Sequence, residues 1–68
     1  MKNTIKVERA RHNLTQAALA DKVNVSRQTI NSIEIGKFVP SSILVLKIAA
    51  IFNTTVEEIF TLEEKDWT

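Results

Sequence analysis

Apolar residues recur along this chain in short groups at the three- and four-residue spacing of helix faces. The groups are interrupted at Asn13, Asn24 and Asn53, and at a segment, IGKFVP, that holds the single glycine and the single proline, Gly36 and Pro40. Asparagine adopts the left-handed conformation at modest cost, so it can end a helix where glycine is missing. Cutting the chain at these points predicts five short helices. The first spans residues 5–12, with Ile5 and Ala10 as its inward positions. The second is capped by Thr15 and runs to Lys22. The third is capped by Ser26 and ends at Glu34 or Ile35, with Gly36 as its stop. The fourth follows Pro40 and Ser41 and covers residues 42–52. The fifth opens at Thr55, with Glu58 three residues on in capping-box spacing, and runs to Phe60. The expected fold is all-α: one domain over residues 1–68, with a core of residues 5–60 and a polar tail, 61–68, that carries Trp67 on its surface.

Within TQAALADKVNVSRQTINSIE the positions acquire distinct jobs. Two short helices joined by a three- to four-residue turn must approach closely, which calls for the small Ala20. The turn calls for a residue that tolerates positive φ, Asn24. The second helix of the pair calls for aliphatic anchors one turn apart, Ile30 and Ile33, with Leu19, Val23 and Val25 filling in. Its other face then carries Arg27, Gln28, Asn31 and Ser32, with Thr29 at the edge. Arginine can pair bidentately with guanine, and glutamine or asparagine with adenine. Thr15, Gln16 and Ser26 stand at helix starts, where backbone N–H groups can receive phosphates. This is the layout expected of a helix-turn-helix that reads the major groove of duplex DNA; the plainer alternative is an antiparallel helix pair whose outer face is simply solvated.

On the strings LTQAALADKVNVSRQTINSIEIGK, VPSS, LKIAAIFN and VEEIF, the chain resembles the Cro and repressor-like (XRE-type) helix-turn-helix family, especially its short dimeric members. The resemblance implies a five-helix repressor-like bundle and a role in transcription regulation. It implies that Gln16 contacts a phosphate and helps fix the recognition helix. It places Arg27, Gln28, Thr29, Asn31 and Ser32 toward the bases, and Lys37 and Phe38 along the sugar-phosphate strand. It also implies a structural ion pair between Arg9 and Glu34. Some short relatives pair the chain ends, and residues 1–4 and 60–64 could form such a two-stranded sheet here. The turn and two flanking stops, often glycine in the family, are asparagine in this chain, and Glu8 stands where many members are apolar.

The fourth helix, SILVLKIAAIF, is apolar nearly all round, whereas a helix at the rim of a small bundle needs one apolar stripe. Either the other four helices surround it, or a second copy covers it. With so few residues available for cover, the expectation is a homodimer whose seam takes in Ile43, Ile51, Phe52, Val56 and Ile59. Two-fold symmetry would set two recognition helices about 34 Å apart on a palindromic site.

Composition sharpens this picture in three places. The net charge of +1 conceals a division. Residues 1–37 carry seven basic side chains against three acidic, while residues 38–68 carry two against five. A polyanion would meet the first part. Cysteine is absent and His12 is the single histidine, so no disulfide, metal site or cofactor site is expected. The acidic groups of the tail read as a solvated face. The first residues lack the apolar core of a signal peptide, which points to the cytoplasm. No catalytic set is visible, so an enzyme is not expected. The rival readings are an antitoxin-type regulator whose main contact is a protein partner, and an adaptor that uses the same fold for protein contact only.

Overall fold

The computed structural model describes residues 1–68. Five helices follow one another: α1 (Ile5–Arg11), α2 (Gln16–Lys22), α3 (Arg27–Glu34), α4 (Ser42–Ile51) and α5 (Val56–Ile59). Two short strands, β1 (Lys2–Asn3) and β2 (Phe60–Thr61), bracket them. They pair antiparallel, Lys2 opposite Thr61 and Asn3 opposite Phe60, so the two-stranded sheet from the chain ends is present.

Helix starts follow local chemistry. The hydroxyls of Thr15, Ser26 and Ser41 accept from the backbone N–H groups of Ala18, Thr29 and Leu44, which opens α2, α3 and α4. Helix ends share one device. The first residue past each cap is left-handed: Asn13 (φ 54°), Asn24 (φ 60°), Gly36 (φ 81°) and Asn53 (φ 52°). The N–H of the next residue then turns back to the helix. Leu14 donates to the Arg9 carbonyl, Val25 to Ala20, Lys37 to Ser32 and Thr54 to Ala49. These are Schellman closures of α1 to α4, and asparagine forms three of them.

The core gathers Ile5, Leu19, Ala20, Val23, Ile30, Ile33, Leu44, Ile48, Ala49, Phe52, Ile59 and Phe60. Ala20 of α2 and Ile30 of α3 are both buried in this cluster, as a close-packed turn requires. Several expectations change. Ala10 is exposed, and Ile5 alone of the two expected positions is buried, because the inward side of α1 is taken by Arg9. The capping box expected at Thr55 does not form; α5 is a single turn with no side-chain cap. A capping box appears instead in the tail, where Glu63 and Asp66 close a 3-10 turn over Glu64–Trp67. Helix α4 is neither central nor symmetric. It buries Leu44, Ile48 and Ala49 and leaves Ile43 (68% exposed) and Leu46 (61%) bare.

Candidate nucleic-acid interface

Helix α3 has two chemically opposite faces. Ile30 and Ile33 are fully buried in the core on one side of it. The outward side presents Arg27, Gln28 and Asn31, all exposed, with Thr29 and Ser32 half-buried at its margins. No carboxylate stands on that outer side, because the one acid of α3, Glu34, is turned inward to Arg9.

Arg9 grips Glu34 through Nε to Oε2 at 2.8 Å and Nη2 to Oε1 at 3.1 Å. Its Nη1 donates to the Leu14 carbonyl at 3.0 Å. The Arg9 side chain is 15% exposed and Glu34 8%, so this is the expected structural pair. Hydrogen bonding to Glu34 raises the Arg9 pKa above its already high ordinary value, against the lowering effect of burial.

Gln16 stands at the first position of α2 and bridges to α3. Its Nε2 lies 3.1 Å from Asn31 Oδ1 and 3.3 Å from Glu34 Oε1. The side chain thus ties the start of α2 to α3. Its two amide hydrogens are spent in doing so, however, which leaves the backbone N–H as its donor toward a phosphate. Ser26 is committed likewise: its hydroxyl caps α3 and lies 2.9 Å from that of Thr29, so each satisfies the other. Of the residues expected to face bases, Arg27 and Gln28 project most freely.

The loop after α3 closes one side of the surface. Both the Lys37 and Phe38 N–H groups donate to the Ser32 carbonyl, at 2.9 and 3.2 Å. Phe38 thereby comes beside Ser26, Gln28, Thr29 and Ser32 to line an open hollow of about 210 Å³. Ile35 and Val39, on either side of Gly36–Phe38 in sequence, are exposed and were not among the expected site residues. Asn3 was also missed: its Nδ2 donates to the Ile33 carbonyl at 2.9 Å and ties the N-terminal strand to the end of α3. His12 lies at the end of α1 with its ring centroid 5.1 Å from that of Phe52.

The expected dimer seam divides. Phe52 (3% exposed) and Ile59 (1%) are core residues of the protomer and have no surface to give to a partner. Ile51 and Val56 are half-buried, and Ile43 is exposed. Leu46, not among the expected residues, is as bare as Ile43.

A short helix capped by Ser26, an inner apolar stripe, an outer face free of acids and a Gly36 closure together define a helix-turn-helix protein. The chain belongs to the helix-turn-helix family, whose model matches residues 5–59. It is 53% identical over 66 residues to an HTH-type transcriptional regulator of Methanocaldococcus jannaschii, an alignment that covers 97% of this chain and 100% of the relative. It is 46% identical to the HTH-type transcriptional regulator YgzD of Bacillus subtilis, with the same coverage of both. A regulator of Archaeoglobus fulgidus is also 46% identical, covering 97% of this chain and 93% of its own.

Proposed function

We propose that this protein is a sequence-specific transcriptional regulator. It lays α3 in the major groove of duplex DNA and acts as a homodimer on a palindromic site, in the cytoplasm. The observation that carries the reading is the outer face of α3, where Arg27, Gln28 and Asn31 are exposed and the helix's one carboxylate is withdrawn into an ion pair. The names of the relatives, HTH-type transcriptional regulators, support the same role.

The roles divide by chemistry. Arg27 and Gln28 read base edges, with Thr29 and Ser32 as shorter contacts at the groove wall. The backbone N–H groups at the starts of α2 and α3, flanked by Thr15, Gln16 and Ser26, receive phosphates. Lys37 and Phe38 run along the sugar-phosphate strand. Ile43 and Leu46 supply the bare part of a two-fold seam, with Ile51 and Val56 at its edge.

Binding to random-sequence duplexes tests the reading. Affinity is expected to fall with salt at a log–log slope of about −0.9 for each phosphate neutralised. Sites enriched by selection are expected to show two inverted half-sites one helical turn apart. No duplex affinity at low salt would remove the proposal and leave the protein-contact readings.

A further inference from the structure

Behind α3 the polar side chains form a hydrogen-bond chain with a fixed direction. It begins at Arg9, whose guanidinium can only donate, and passes to Glu34, whose carboxylate can only accept. The end of Gln16 that faces Glu34 Oε1 at 3.3 Å is therefore its NH₂ group. The same NH₂ group faces Asn31 at 3.1 Å, so Asn31 must turn its oxygen toward it. An amide on a protein surface is ordinarily free to exchange its oxygen and nitrogen ends. Asn31 is not, because a largely buried ion pair at the head of the chain sets the polarity of every member after it.

We propose that Asn31 is a donor-only reader of the major groove. The Arg9–Glu34–Gln16 chain holds its oxygen toward Gln16 through one of that oxygen's two lone pairs, and leaves both Nδ2 hydrogens for a base. The proposal rests on the reading that α3 lies in that groove. An asparagine with both ends free pairs with adenine by accepting from N6 and donating to N7. With its oxygen turned toward Gln16, Asn31 does not present both ends along one base edge. Its outward edge matches guanine, whose O6 and N7 both accept, and is opposed by the amino groups of adenine and cytosine. The base opposite residue 31 is then guanine, the reverse of what residue type alone suggests. Gln16 acts here as a positioning residue, and its effect is on base choice at one position.

Site selection from random duplexes by the full chain and its variants tests this. Asn31→Ala marks the position, as the single base pair whose preference it erases. The wild-type protein is expected to prefer guanine there by roughly tenfold over adenine. Gln16→Met removes the donor and frees Asn31, so adenine should rise toward parity at that position while the others keep their bases. Asn31→Asp, an exposed change that keeps an acceptor oxygen toward Gln16, presents a second acceptor outward and should move the preference to cytosine. Adenine preferred by the wild type, a guanine preference untouched by Gln16→Met, or one retained by Asn31→Asp would each overturn the proposal with duplex binding intact. So would an Asn31→Ala variant with an unchanged site. If the wild-type chain enriches no duplex at all, the groove reading has failed and this inference fails with it.

Discussion

Asn24 sits at φ 60° in the tight connection between α2 and α3, where any side chain with a Cβ crowds the following carbonyl. Asparagine bears this strain better than alanine does. Asn24→Ala should therefore lower stability by about 1 kcal/mol, while Asn24→Gly should stay within about 0.5 kcal/mol of the parent. Urea denaturation followed by circular dichroism measures both. The three asparagine stops were legible in the sequence because a left-handed preference belongs to the residue itself. The orientation of Asn31 was not. It depends on Gln16, fifteen positions away, and on the charge pair behind it. Residue type names a potential adenine partner there, and only the assembled network says which end of the amide is already taken. Removing the head of that network has a stability cost too. Glu34→Ala leaves the Arg9 charge largely buried without its partner, which should cost about 2 kcal/mol in the same assay.

Helix α4 shows the limit of pattern at the next scale. Eight of its ten residues are apolar, so no stripe can be read and any side could face the core. Packing selects Leu44, Ile48 and Ala49, with Phe52 at the cap, and the expected seam residues Phe52 and Ile59 fall on the wrong side of that choice. Helices α2 and α3, with polar residues opposite their anchors, were legible to within a residue at each end. The two kinds of apolar position on α4 should separate cleanly by mutation. Ile48→Ala opens a cavity in the core and should cost about 3 kcal/mol of stability. Leu46→Glu changes an exposed side chain, so the protomer should keep its stability within about 0.5 kcal/mol. In sedimentation experiments, however, the parent is expected to run as the proposed dimer and the Leu46→Glu variant as a monomer. A dimer that survives this change moves the seam off the bare face of α4.

At the scale of the whole molecule, the two ends of the chain hold each other. The Met1 amine lies 2.9 Å from Glu63 Oε1 and 3.0 Å from Asp66 Oδ2. Hydrogen bonds that the amine donates to Glu63 and then to Asp66 raise its pKa, while Glu63 is lowered first by its bond to the amine. Asp66 is lowered chiefly by the Glu63 backbone N–H and next by the amine. The amine's contribution is complete below its unfolded value of about pH 8 and is lost as pH rises through its higher folded value. The carboxylates contribute fully above their unfolded values of about pH 4 and lose that contribution as pH falls through their lower folded values. The tail should thus stay docked between about pH 5 and 8 and loosen on either side, which NMR shifts of residues 62–68 would report while those of α2 and α3 stay constant. The same meeting of the ends carries a consequence for how the chain assembles. Pairing Lys2 with Thr61 closes a loop of nearly the full chain, whereas α2 and α3 are neighbours in sequence. Loop-closure entropy favours the local pair first and the terminal ribbon last. Substitutions that weaken the ribbon should accelerate unfolding in stopped-flow experiments with little change in the folding rate, whereas Ile30→Val should slow folding. The helical reader is built early, and the knot that joins the ends is both the last tied and the first undone.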